Sequence, residues 1–204
     1  MDYKDPVSNV VAPKIPRFYG RRKGRPLRQS MKRRLDEVLP DLVFDPTVSL
    51  NIQFGRHSDR YLEIGFGAGE HLAELAATMP DCDFIGAEPY INGVASLLRY
   101  IDKRQLGNIR IWPDDVRLIL PTIDTASLAG AFIMFPDPWP KRRHTTRRIL
   151  QPVFLNRLAE IIRPGGKLVV ASDDPTAKSW LLQTAIAHPG FVWTARRPAD
   201  WRQR

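Results

Sequence analysis

From residue 61 onward, short apolar runs alternate with amphipathic stretches, and this rhythm constrains the fold more than any other feature. YLEIGFG reads as a strand entering a glycine turn, and EHLAELAATM carries apolar residues at helical spacing. DFIGAEP, NIRIWP, LAGAFIMFP and GGKLVVAS repeat the strand pattern. INGVASLLRYIDKRQ, the short DDVRLILPTI, RRILQPVFLNRLAEII and DPTAKSWLLQTAIAHP repeat the helical one, and FVWTA reads as a last short strand. Parallel strands need long crossovers, so this alternation predicts an α/β fold with a mostly parallel sheet and helices on both faces.

The 204 residues, 43% of them apolar, suit one domain plus a tail. One cysteine, Cys82, excludes a disulfide scaffold and a cysteine-based zinc site. His57, His71, His144 and His188 lack metal-ligand spacing, so no metal is predicted; His71 is expected to be structural packing. No run approaches the ~20 apolar residues of a membrane span, and the N-terminus lacks the apolar core of a secretory signal. A soluble cytoplasmic protein with no membrane partner is predicted, and monomer and homodimer both stay open.

Charge divides the chain into three zones. Residues 1–34 hold 11 basic and 2 acidic side chains, residues 35–140 hold 7 and 16, and residues 141–204 hold 13 and 4. Prolines 6, 13, 16 and 26 punctuate the first zone, so residues 1–34 read as a basic arm. Ser30 is a candidate cap for a helix over MKRRLDEVL, and residues 45–59 read as a connector. Residues 35–204 read as the folded domain.

Glu63-Ile64-Gly65-Phe66-Gly67-Ala68-Gly69 lies between the first strand and its helix. Gly65, Gly67 and Gly69 permit a tight turn and close approach of a ligand to the backbone. A dinucleotide fingerprint would put a third glycine at position 70, where this chain has Glu70; a carboxylate there opposes a pyrophosphate. S-adenosylmethionine, a cationic cofactor without phosphate, fits better. Glu88 ends the second strand, 19 residues after Gly69, where a carboxylate can accept from ribose hydroxyls. Asp115 or its neighbour Asp114 follows the third strand and can meet an adenine amino group; either can instead cap the next helix.

Phe135-Pro136-Asp137-Pro138-Trp139-Pro140-Lys141 follows the fourth strand. Three prolines stiffen the loop that carries Asp137 and Trp139, which reduces the entropy lost on binding a flat substrate. Asp137 can accept from a base edge, Trp139 can stack, and the cations from Lys141 to Arg148 can reach phosphates.

LEIGFGAGEHL, IGAEPYINGVASLL, FPDPWPKRRHTTRRIL, the RPGGKLVVASD text and the FYGRRKGRPLR segment together resemble the bacterial tRNA (guanine-N7-)-methyltransferase family, from about Arg17 to Trp201. The resemblance implies a Rossmann-like class I methyltransferase fold and methyl transfer from S-adenosylmethionine to N7 of a variable-loop guanosine in tRNA. It implies cofactor contacts by Glu63, Glu88, Asp115 and Asp137, an active-site role for Asp137, and substrate contacts by Lys141 and Asp173. Asp173 or Asp174 also stands where a helix cap is expected. The family pattern continues past RPADW into a guanosine-binding segment, whereas Trp201 is followed here by Arg202-Gln203-Arg204. A short C-terminus with the last strand missing is therefore expected. An RNA-binding protein of this fold without turnover, and a methyltransferase for another RNA, stand beside the main expectation.

Overall fold

The protein is described by a computed structural model covering residues 18–197 and residue 200. Residues 1–17 of the expected arm, and residues 198–199 and 201–204, lie outside the described residues.

Strands form where apolar residues occur without breaks, because both faces of the sheet are covered. In β1 (Arg60–Ile64), Leu62 and Ile64 enter one core while Tyr61 packs against the other. β2 (Asp83–Ala87) is buried along its whole length. With β3 (Ile109–Trp112), β4 (Leu128–Met134) and β5 (Ile162–Ala171) they make a fully parallel sheet in the order β3-β2-β1-β4-β5. The order reverses between β1 and β4. In open α/β sheets ligands bind beyond the carboxyl ends of the strands at such a switch point.

The connecting helices bury one stripe each. α1 (Gln29–Glu37), α2 (Leu39–Leu42) and α3 (Leu50–Phe54) precede the sheet. α4 (Glu70–Thr78) contributes Leu72, Ala73 and Ala76, and α5 (Ile91–Arg104) contributes Val94, Leu97, Leu98 and Ile101, to the core on one face. α6 (Pro152–Ile161) contributes Phe154, Leu155, Leu158 and Ile161, and α7 (Pro175–Ile186) Ala177, Trp180 and Leu181, to the other. The β3 edge is covered by a single parallel bridge from Val43 to Ile111, with Phe44 N–H bonded to the Ile111 carbonyl at 2.8 Å.

Four expectations are corrected. α1 starts at Gln29 with Arg28 as its cap residue, so Ser30 does not cap it. The stretch over DDVRLILPTI forms two 3₁₀ turns, Val116–Leu118 and Leu120–Thr122; Pro121 lacks the N–H a continuing helix needs. The helix expected from Arg147 begins at Pro152, because Gln151 before the proline is held extended (φ −95°, ψ 157°), while Arg142–Arg147 forms its own 3₁₀ turn. Phe191–Ala195 is not a strand. Val192 and Trp193 are 84% and 56% exposed, so no pleat face is buried, and the N–H groups of Arg196 and Arg197 donate to the Asp200 carboxylate rather than to a neighbouring strand.

Candidate active site

The turn after β1 leaves Gly65 (φ +72°) and Gly67 (φ +57°) in the left-handed region, which glycine enters without penalty. At both positions the space a Cβ would fill is open. α5 closes against this turn at Gly93, where any side chain would meet the Gly67 carbonyl. Glu88, just past β2, fixes the arrangement. Its Oε2 accepts from Gly67 N–H at 2.8 Å and its Oε1 from Tyr90 N–H at 2.9 Å, so one carboxylate ties the turn to the start of α5. Glu88 is buried, and burial pushes its carboxyl above the usual range. The two N–H donors oppose that shift, and the negative charge of Asp137 adds to it.

Glu63 is also buried, on the β1 face that looks toward α4, and meets His71 Nδ1 at 2.9 Å. This bond raises the His71 pKa above its ordinary value against partial burial. The His71 ring lies edge-on to Phe132, centroids 5.3 Å apart. Glu70 opens α4 behind Gly69 and accepts from the Tyr100 hydroxyl at 3.2 Å, so the helix start carries its own carboxylate.

The two aspartates after β3 differ. Asp115 is buried, caps the first 3₁₀ turn through Arg117 N–H at 3.0 Å, and pairs with the Arg117 guanidinium. Asp114 accepts from Asp115 N–H and from Arg22 at 2.7 Å. Of the two alternatives left by the sequence, the cap is thus made by Asp115. Trp112 donates its indole N–H to the Asp115 carbonyl at 2.9 Å.

The loop after β4 stands across the switch point from the glycine turn. Phe135 (φ +52°) and Trp139 (φ +39°) flank Asp137 in the left-handed region, a costly conformation for bulky side chains that concentrates at functional sites. Arg148 donates to the Trp139 carbonyl and Trp180 to the Pro138 carbonyl, each at 3.2 Å. Asp137 and Lys141 are exposed. Asp173, past β5, is exposed as well, while Asp174 caps α7 through Ala177 N–H at 2.8 Å.

Sequence reasoning missed the N-terminal segment. Residues 18–25 run over the same strand ends as an anchored strap. Arg22 carbonyl accepts from Ile91 N–H (3.1 Å), Gly24 N–H donates to Asn92 Oδ1 (2.9 Å), and Asn92 Nδ2 donates to the Arg25 carbonyl (2.8 Å). Tyr19 reaches Trp139, ring centroids 6.5 Å apart. Nothing in the local pattern of FYGRRKGRPLR distinguishes an anchored basic segment from a solvated one. The contact between His71, in the first turn of α4, and Glu63 is also absent from the sequence reading; their spacing of eight residues does not by itself bring them together.

These features fit S-adenosylmethionine. An open glycine cradle admits a ligand to the backbone, buried Glu63 and Glu88 offset positive charge, and the carboxylate at the start of α4 disfavours a phosphate cofactor. A cavity of about 510 Å³ lies at the opposite end of the strands, lined by Arg56, Asp83, Arg104 and Asn108. Its polar groups are already paired, Arg56 with Asp83, Arg104 with Glu74 and Asn108 with main-chain carbonyls. Among the described residues no group of three or more His, Cys, Asp or Glu side chains converges as a metal site, and no helix is long and apolar enough to cross a membrane.

The family model described as "Putative methyltransferase" matches residues 58–202. A tRNA (guanine-N(7)-)-methyltransferase of Rhodospirillum rubrum is 47% identical over 92% of this chain and 77% of its own length. The chain belongs to the bacterial tRNA (guanine-N7-)-methyltransferase family. A second relative of the same name, from Paramagnetospirillum magneticum, is 45% identical over 94% of this chain and 86% of its own. Among solved structures, one titled an antibiotic-related methyltransferase aligns with 72% of this chain and 78% of its own at a TM-score of 0.49 and 16% identity. For this tRNA (guanine-N7-)-methyltransferase family member, the FPDPWPKRRH loop and the glycine turn both lie inside the matched residues.

Proposed function

We propose that this protein transfers a methyl group from S-adenosylmethionine to N7 of a guanosine in tRNA, the variable-loop guanosine, in the cytoplasm. The supporting observation is the pairing, across the β1/β4 switch point, of a carboxylate-lined glycine turn with the stiff Asp137–Trp139 loop and its trailing cations. Gly65, Gly67 and Gly69 form the cradle, Glu63 and Glu88 face the cationic and ribose parts of the cofactor, and Asp115 lies toward the adenine. Lys141 and Asp173, exposed at the rim, contact the substrate nucleotide.

S-adenosylmethionine supplies a methyl already activated by the sulfonium. Guanine N7 offers a lone pair and carries no proton, so the protein needs no general base for the attack. Its task is alignment, which orientation on rigid loops supplies. Methylation leaves positive charge on the purine, and Asp137 stabilises that charge.

Incubation with methyl-labelled cofactor and unmodified tRNA, followed by nucleoside digestion, should place the label in 7-methylguanosine; unlabelled tRNA would refute the function. Asp137→Asn should lower kcat by about 10²-fold and leave tRNA affinity within about threefold. Undiminished turnover in that variant would remove Asp137 from the mechanism.

A further inference from the structure

Two segments remote in sequence meet at the Asp137 loop, the strap at Tyr19 and the stretch from Trp139 to Arg147. Arg147, the last residue of the 3₁₀ turn Arg142–Arg147, places its guanidinium carbon 4.5 Å from the centroid of the Tyr19 ring and 5.1 Å from that of Trp139. The two rings meet at 73°, and His144 stands edge-on to Trp139 at 5.6 Å. The result is a two-walled aromatic corner holding a flat, delocalised organic cation. Both ring positions cost the protein something. Tyr19 remains 43% exposed, and Trp139 keeps a left-handed backbone.

We propose that the Tyr19–Trp139 corner is a cation site for the methylated base, and that Arg147 is its placeholder in the free protein. This rests on the methyltransferase function proposed above. In that reaction the N7 lone pair forms a bond to the methyl carbon, and the carbon–sulfur bond breaks with its electron pair on sulfur. The positive charge thereby passes from sulfur to the purine, and no proton moves. Neutral guanine gains little from a cation corner. The transition state and 7-methylguanine are flat cations like the guanidinium already there, and aromatic faces attract them. An interaction that strengthens as the charge develops accelerates the reaction, whereas uniform binding would not. Asp137, two residues before Trp139 on the same loop, adds a carboxylate to the same end of the molecule. When the base enters, the displaced Arg147 is free to take a phosphate, for which its planar donors are suited.

The test is equilibrium binding, without cofactor, of one tRNA in two forms, unmodified and carrying 7-methylguanosine at the target position. Wild-type protein should prefer the methylated form by roughly three- to tenfold. Tyr19→Leu, which alters an exposed ring, should bring the ratio to about one, with affinity for unmodified tRNA changed less than about twofold, whereas Trp139→Leu should bring the ratio to about one while weakening both complexes, because it also removes a stacking face. Tyr19→Phe should keep the preference. Arg147→Ala should increase the ratio, since it removes the competing cation, while weakening both complexes. A thermal melt identifies any variant that fails to fold, and Tyr19→Leu alone then decides. A wild-type ratio of one, or an unchanged ratio in Tyr19→Leu, overturns the proposal. If wild type transfers no labelled methyl to tRNA, the proposed function itself falls; methyl transfer with a ratio of one defeats only the corner.

Discussion

Glu88 shows how one side chain sets both geometry and pH behaviour. It has two N–H donors from different segments, yet burial still holds its carboxyl above the ordinary range. The ionised form is the acceptor a ribose needs. Cofactor affinity should therefore decline as pH falls through the Glu88 value, which is a higher pH than an ordinary glutamate would give. Glu88→Gln should weaken S-adenosylhomocysteine binding by about tenfold or more, the usual weight of a hydrogen bond to a charged group, and should flatten that acid limb in calorimetric titrations. An unchanged acid limb would assign the pH dependence elsewhere. His71 behaves in the opposite sense. Its folded pKa is raised by the bond to Glu63, so the pair's stabilisation is complete below the ordinary histidine value and is lost as pH rises through the folded one. Urea melts should show His71→Ala less stable than wild type, with a deficit about 1 kcal/mol larger near pH 6 than at alkaline pH, where only the lost Phe132 contact and neutral hydrogen bond remain. The place of Glu88 just past a strand was legible in the sequence, whereas a cofactor contact for Glu63 came only with the family resemblance. The bond joining Glu63 to His71 was not legible, because it depends on how α4 docks over β1.

At the scale of elements, the strands and most helices were readable because their apolar periods are long and match their burial. The failures have local causes: Pro121 and Pro152 redraw helix boundaries, and FVWTA has β-type composition but exposes Val192 and Trp193 and forms no strand. The strap is the largest addition. The sequence predicts that removing residues 1–28 weakens tRNA binding and leaves cofactor binding nearly intact. Contacts from residues 18–25 to Asn92, Ile91 and Asp114 alter that expectation, because all three adjoin the proposed cofactor cradle. Asn92→Ala removes two hydrogen bonds to the strap without changing charge. Trypsin should then cut after Arg21, Arg22 or Lys23 several-fold faster, and affinity for S-adenosylhomocysteine should fall by about threefold, in keeping with roughly one net hydrogen bond. Mass spectrometry of timed digests and calorimetry read the two effects. Arg22→Ala should have an effect of at most similar size, since its pair with Asp114 is half exposed and such pairs contribute about 1 kcal/mol at most. Wild-type digestion rates in Asn92→Ala would show that the strap is held by other contacts.

For the whole molecule, net charge becomes informative once it is placed on the fold. The acidic middle of the sequence supplies β1, β2, β3 and β4 and with them the buried Glu63, Glu88 and Asp115, a lining suited to a cation. The flanking basic segments, where described, lie across the same strand ends, as the strap and as the Lys141–Arg148 stretch, and suit a polyanion. Two ligands of opposite charge would thus meet at one edge of one sheet. Their salt responses should separate sharply. A polyanion held by cations releases counterions, so tRNA affinity should fall by about 10³ between 50 and 200 mM salt if roughly six phosphates are contacted. S-adenosylhomocysteine, which lacks the sulfonium, is net neutral and would sit among buried, poorly screened groups, so its affinity should change by less than about twofold over the same range. Filter binding with tRNA and calorimetry with S-adenosylhomocysteine in one salt series measure both. Replacing Arg142 and Arg143 together by alanine should reduce the tRNA slope by about two while the cofactor curve stays flat. Equal slopes for the two ligands would mean that the basic segments grip the cofactor rather than the RNA, and the division of charge along the chain would then need a different explanation.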